Sequence, residues 1–227
     1  MPKSYDESYV EYKQRLIDSV SPSFCAAKWL NATIWLDKGK TTSCHHPPYH
    51  AIDAEQIKKN PSAIHNTDHK KRMRRMMQQG LRPPECEYCW KIEDMNRNAV
   101  SDRVFKTEIY ADADLRRIAA ADPNEDIDLR TLEVSFSRAC NFACSYCNDS
   151  FSTTWVKDMV THGPFKDMQT HDAHTYTRDP RKTHPPLIRK TLLGKLKWNL
   201  GWRNSEKEEN PYIEAFWKWW PRLSSSL

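Results

Sequence analysis

The sequence predicts an α/β chain, and three observations carry that reading. Leu132-Glu-Val-Ser-Phe-Ser137 alternates strictly, placing Leu132, Val134 and Phe136 on one face and Glu133, Ser135 and Ser137 on the other, the period of a half-buried strand. The stretch Lys28–Leu36, then Asp37-Lys38-Gly39-Lys40, then Thr41 and Thr42, reads as strand, turn and returning strand. Residues 67–79 and the run from Asn210 carry helix start signals, and the first of them also meets a stop at Gly80.

In chain order, residues 5–19 read as a helix with an apolar stripe of Tyr9, Tyr12, Leu16 and Ile17, and the hairpin follows. Thr67–Gln79 forms the next helix, ending at Gly80 with Pro83 and Pro84 beyond. Ala111–Ala121 is a short helix and Asp122-Pro-Asn-Glu-Asp126 a charged linker before the strand, which runs straight into Cys140. Asp149–Thr161 is helical; from Gly163 to Arg189, with Pro164, Pro180, Pro185 and Pro186 and the histidines His171, His174 and His184, a long exposed insertion is expected. Asn210 caps a last helix opened by Pro211, with Ile213, Phe216, Trp217 and Trp220 on one face and Pro221 ending or kinking it. The chain stops at Leu227, just past this apolar face, and reads as cut short.

With 227 residues the chain can build one good core or two small ones. Nine tryptophans exclude a disordered tail, and the five scattered glycines exclude a dinucleotide fingerprint, a phosphate loop and a nucleophile elbow. No apolar run approaches the ~20 residues of a membrane span. The polar start Met1-Pro-Lys-Ser-Tyr-Asp-Glu-Ser8 lacks a signal-peptide core, so a cytoplasmic location is expected. In that reducing compartment seven cysteines, an odd number, point to metal or cluster ligands rather than disulfides. The net charge of +5 suits an anionic partner or a solvated surface equally.

Cys140-Asn-Phe-Ala-Cys144-Ser-Tyr-Cys147 is a C-x3-C-x2-C motif at the end of a strand. Three thiolates on one tight loop can hold three irons of a [4Fe–4S] cube and leave the fourth iron open. A zinc site completed by a distant histidine, or plain buried thiols, are the alternatives. The motif, with the aromatic Tyr146 before its last cysteine, resembles the signature of the radical S-adenosylmethionine (radical SAM) superfamily. The strand before it resembles the first strand of that family's partial (β/α)6 barrel. The resemblance implies that Cys140, Cys144 and Cys147 bind a [4Fe–4S] cluster whose open iron chelates the amino and carboxylate groups of S-adenosylmethionine, with Tyr146 near the adenine. It also implies reductive cleavage of that cofactor to a 5′-deoxyadenosyl radical, an electron donor such as flavodoxin or ferredoxin, and hydrogen abstraction from a substrate, of which a peptide is one candidate. The family's Gly-Gly-Glu type motif on strand two is absent, so no catalytic residue is assigned and the fragment alone is expected to turn over poorly.

Cys25, Cys44, Cys86 and Cys89 remain. Thirteen residues separate Cys25 from Gly39 and four separate Gly39 from Cys44; Cys86-Glu-Tyr-Cys89 is C-x2-C. A hairpin brings Cys25 and Cys44 together, and the C-x2-C loop closes a four-thiolate cage. This pattern is similar to the SPASM/twitch region of many radical SAM proteins, in its short, twitch-like form, although here it precedes the barrel rather than following it. The resemblance implies an auxiliary [4Fe–4S] cluster, while a four-cysteine zinc site needs the same ligands. His45, His46 and His50 beside Cys44 could substitute for a ligand but read first as surface residues. Glu93, Ser101 and Arg103 resemble the tail of the twitch pattern, where they would orient the auxiliary loop by hydrogen bonds, with ordinary surface polar residues as the equal alternative. The expected organisation is a twitch/SPASM-like α+β module with its N-terminal helix over 1–110. A helix and linker follow over 111–128, then the opening of the radical SAM core over 129–227 with a polar insertion at about 163–209.

His69-Lys-Lys-Arg-Met-Arg-Arg75 packs five Lys and Arg cations into one helix. It reads as a solvated face backed by Met73, Met76 and Met77, with nucleic-acid contact as the rival. Trp198, Trp202, Trp217, Trp219 and Trp220 read as core, and His171-Asp-Ala-His174 as noise. Two other functions stay open: a zinc-binding nucleic-acid or protein interaction module, and a noncatalytic binding protein with a degenerate radical motif.

Overall fold

Ser8 starts the first helix by exchange: its hydroxyl accepts from the Glu11 N–H at 3.2 Å while the Glu11 carboxylate accepts from the Ser8 N–H at 2.8 Å. In the computed structural model, which describes residues 3–168, 176–179 and 210–226, this helix is α1 (Tyr9–Tyr12), continued by a π-helical turn over Lys13–Ile17. Tyr12 and Ile17 are buried by it. The chain then differs from the expected strand at Lys28. Ala27–Leu30 is a helical turn, α2, and strand β1 begins only at Asn31 and ends at Trp35. All four α2 residues are buried, and the Lys28 N–H bonds the Cys25 carbonyl at 3.0 Å, which sets both residues on one side of the turn.

β2 (Lys40–Thr42) returns antiparallel to β1, pairing Thr33 with Thr42 and Trp35 with Lys40, and β3 (His50–Ala51) extends the sheet. Helix α3 (Ala54–Lys59) is capped by Asp53, and α4 (Asp68–Gln78) by Thr67. α4 stops at Gly80, whose φ of 74° lets the Leu81 N–H reach back to the Met76 carbonyl. α5 (Glu87–Glu93), α6 (Asp102–Glu108) and α7 (Asp112–Ala120) follow, and β4 (Thr131–Ser135) joins β1 in parallel, Ala32 opposite Leu132 and Ile34 opposite Val134. Among the described residues the strands form one mixed four-stranded sheet, ordered β3-β2-β1-β4, and no closed barrel. Two further helices are α8 (Thr153–Thr161) and α9 (Pro211–Ser224).

The chain divides into two compact units, residues 1–136 with 210–227, and residues 137–209. The first holds two apolar cores. One gathers Tyr12, Phe24, Trp29, Met77, Trp90 and Ile118, and the other packs Ala32, Ile34 and Leu36 of the sheet side against Phe216, Trp219 and Leu223 of α9. In the second unit Val156 and Met159 of α8 are fully buried. The expected insertion lies largely outside the described residues, as do Trp198, Trp202, His171, His174 and His184.

Three readings of the sequence are corrected. Pro221 does not end α9, which runs on to Ser224; the proline forgoes one N–H bond to the preceding turn, and Leu223 beyond it is fully buried. The buried face of α9 is Ala215, Phe216, Trp219 and Leu223, whereas Trp217 is 54% exposed and stacks on Phe136. The packed side of α4 is Lys70, Arg74 and Met77, with Met73 and Met76 only half-buried. Lys70 donates to Thr41 Oγ1 at 3.1 Å, the Thr42 carbonyl at 3.2 Å and His65 Nδ1 at 3.2 Å; Arg74 donates to the Lys28 carbonyl at 3.1 Å and Asn66 Oδ1 at 2.9 Å. The basic run is therefore not one solvated stripe.

Gly39 turns the hairpin at φ 57°, and a β-carbon there would collide with the Tyr212 ring. At Gly80 an added β-carbon meets nothing nearer than Pro22 at 3.5 Å. Gly39→Ala should therefore cost more than the ~1–2 kcal/mol of a left-handed residue alone, and Gly80→Ala should stay near that figure, as read by urea unfolding. Burial, reinforced by the Lys70 charge, pushes His65 well below the usual histidine range and His50 down to about 3. The unfolded chain then takes up protons near pH ~6.5 that the folded chain refuses, so stability should fall as pH drops below that value. A urea midpoint lower at about pH 5 than at about pH 7.5, with a weaker pH dependence in His50→Gln, is the expected result.

Candidate metal centres

In the first unit the local folding of four segments brings four sulfurs to one cavity. Cys25 precedes α2, Cys44 follows β2, Cys86 closes the 3-10 turn Pro84–Cys86, and Cys89 lies in the first turn of α5. The Gly39 turn carries the returning strand far enough for Asn31 Nδ2 to reach the Ser43 carbonyl at 2.7 Å, which fixes the residue before Cys44. All four cysteines, with Lys28, His46, Asp102, Arg103 and Lys106, line about 390 Å³ of atom-free space that is partly open to solvent. None is in a disulfide.

Burial pushes the Cys25 thiol up to about 12 and Cys86 to about 11, and raises Cys44 and Cys89 as well. Polar groups nevertheless stand beside the sulfurs. The His46 N–H reaches Cys44 Sγ at 3.4 Å, and the Lys28 ammonium lines the same cavity as the four cysteines. Such groups favour thiolates, the form that binds metal. Zinc–sulfur bonds of about 2.3 Å put tetrahedral ligand sulfurs about 3.8 Å apart, whereas a cubane separates its ligand sulfurs further, four irons lying between them. Four thiols around one cavity are a soft donor set that either a four-cysteine zinc site or an iron–sulfur cube would use.

Glu93, Ser101 and Arg103 do meet. Arg103, 2% exposed, forks onto Glu93 at 2.6 and 2.8 Å, and also donates to Asp18 and to the Phe24 carbonyl next to Cys25, both at 2.8 Å. Ser101 donates to Glu93 at 2.6 Å. Burial alone would raise the Glu93 carboxyl, but Arg103, Ser101 and Lys13 outweigh it and hold the group below the usual range. This knot ties α5, α6 and the segment leading to Cys25 together around the cavity.

Two features escaped the sequence reading. Lys28, only 3% exposed, is paired with Glu85, whose other oxygen accepts from His69. His46 is not a surface residue: its ring stacks on Tyr88 and its Nε2 lies 2.7 Å from Asp102, while His45, largely exposed, approaches the same oxygen at 3.4 Å. His50 is half-buried against Thr67. The CHH run signalled polar partners, but not the carboxylate that arrives from α6.

In the second unit the loop Cys140–Cys147 is held by its backbone. Thr154 donates to the Cys140 carbonyl at 2.6 Å, Trp155 Nε1 to the Cys144 carbonyl at 3.0 Å, and the Tyr176 hydroxyl to the Cys147 carbonyl at 2.6 Å. The Cys140 N–H bonds Thr153 Oγ1 at 3.2 Å, and the Phe142 N–H reaches Cys140 Sγ at 3.4 Å. The side chains holding Cys140 and Cys144 come from the first turn of α8, capped by Ser152, so the positive end of that helix is built into the loop's support. No histidine or carboxylate among the described residues joins these cysteines as a compact metal group. Three soft donors without a fourth suit a cube with one open iron better than structural zinc. Tyr146 is 88% exposed.

Glu93→Ala should cost about 3 kcal/mol by leaving a buried guanidinium short of its main partner, and should lower metal retention by Cys25, Cys44, Cys86 and Cys89; urea unfolding and metal content per chain check both. Comparison of the chain with family models, with curated proteins and with solved structures returned no match to any of them.

Proposed function

We propose that the chain is an iron–sulfur protein of the radical SAM type, holding one [4Fe–4S] cluster on Cys140, Cys144 and Cys147 and a second on Cys25, Cys44, Cys86 and Cys89. The observation that carries this reading is the three-cysteine loop. It follows a strand that pairs in parallel, each of its cysteine carbonyls is held by a separate side chain, and no fourth protein ligand joins it among the described residues. The parallel β1–β4 pair is compatible with β4 opening a partial (β/α)6 barrel. When bound, such a cluster supplies the electron that cleaves S-adenosylmethionine to methionine and a 5′-deoxyadenosyl radical.

The residues of the chain would do the rest. Thr153, Thr154, Trp155 and Tyr176 hold the backbone of the cysteine loop, and the exposed Tyr146 ring offers a surface for adenine. An electron donor of the flavodoxin or ferredoxin kind and a reducing, cytoplasmic setting go with this reading, and a peptide is one candidate substrate. No described helix is long and apolar enough to cross a membrane. The rival reading as a zinc-binding nucleic-acid module rests on the basic run of α4 and on the C-x2-C pair. The first support weakens, since Lys70 and Arg74 are buried, Lys71 pairs with Asp126 and Arg75 bonds Asn124, while the C-x2-C pair suits zinc as well as iron–sulfur.

Anaerobic purification with metal counting tests the proposal. About eight irons per chain should fall to about four in a Cys140/Cys144/Cys147→Ala variant, and dithionite with S-adenosylmethionine should give 5′-deoxyadenosine only with the intact loop. Zinc alone in both proteins would sink the radical reading and return the nucleic-acid module to favour.

A further inference from the structure

Lys28 occupies an unusual place. The single turn of α2 sets it on the same side as Cys25, and the fold closes over it until 3% of it is exposed. A buried ammonium needs counter-charge. Glu85, the residue before Cys86, supplies one negative charge, and the His69 ring holds the other Glu85 oxygen. Around the same cavity stand Arg103 and Lys106 as cations and Asp102 as an acid. Arg103 is already saturated by Glu93 and Asp18, and Asp102 by His46 and His45. Lys28 is thus a buried cation lining the four-cysteine cavity and paired with the residue that precedes one of its cysteines.

We propose that Lys28 is the built-in counter-charge of the four-cysteine centre and sets its reduction potential, with Glu85 as the opposing trim. The inference rests on the iron–sulfur reading of that site. One-electron reduction adds a negative charge beside thiolates. A cation in a low-dielectric wall therefore favours the reduced form and raises the midpoint, and an anion lowers it. Because Lys28 lines the cysteine cavity as a cation and Glu85 pairs with it as an anion, the two substitutions act with opposite sign. A purely structural pair would not do this, since breaking it from either side damages the same contact.

The experiment is a redox titration followed by electron paramagnetic resonance, on the full chain carrying Cys140/Cys144/Cys147→Ala so that only the four-cysteine centre reports. Lys28→Met should shift the midpoint to more negative potential and Glu85→Gln to more positive, at unchanged iron content, while Lys28→Arg stays near the parent. If Lys28→Met loses iron but Lys28→Arg keeps it at the parent midpoint, the need for charge is upheld. Midpoints that do not move, or that move in the same direction, overturn the proposal while leaving the cluster in place, as does loss of iron from both Lys28 variants. Zinc in place of iron in the parent overturns the iron–sulfur reading itself.

Discussion

β1 is flanked on both sides by strands of opposite sense, β2 antiparallel and β4 parallel, and much of the first unit depends on that position. The ladder continues past both ends of β1, with the Arg130 N–H on the Leu30 carbonyl at 2.9 Å and the Leu36 N–H on the Ser135 carbonyl at 2.8 Å. Ala32, Ile34 and Leu36 give one side of the sheet to α9, while Thr33 on the other side bonds Glu133 across the strands at 3.0 Å. One strand therefore sets where Cys25 sits before it and where Cys44 sits after its hairpin. It also anchors the strand that leads the chain towards Cys140.

Charge is the second constraint. Lys28, Lys70, Arg74 and Arg103 are all buried. Arg103 is balanced by Glu93 and Asp18, but Lys70 and Arg74 are satisfied mainly by carbonyls, hydroxyls and the neutral His65 ring. Burying cations in that way is expensive unless every donor is used. The cavity of the four cysteines is lined by two of these cations, Lys28 and Arg103, and under the proposed function four thiolates with their metal would carry net negative charge beside them.

Much of the candidate site was legible because its chemistry is local. C-x3-C-x2-C and C-x2-C are short-range spacings, the Gly39 turn is a backbone requirement, and the helix limits at Thr67 and Gly80 follow from capping. The misreadings share one cause. A run such as His69–Arg75 carries no mark of which cations face inward, because a lysine stem is apolar enough to pack and its ammonium needs partners that arrive from distant segments. The Trp217/Trp219 exchange on α9 is the same problem, since both are apolar and only the facing sheet selects between them.

By itself the sequence determined the residue chemistry: two sets of soft ligands, the strand before one and the hairpin before the other, and the caps and turns that place them. These depend on neighbours a few positions away, where propensity and periodicity act. Tertiary structure alone decided the parallel pairing of β4 with β1, the Glu93–Arg103 knot, the meeting of the four cysteines at one cavity and the burial of Lys28 against Glu85. Each joins residues far apart in the chain, through burial and Coulomb forces that no local pattern encodes.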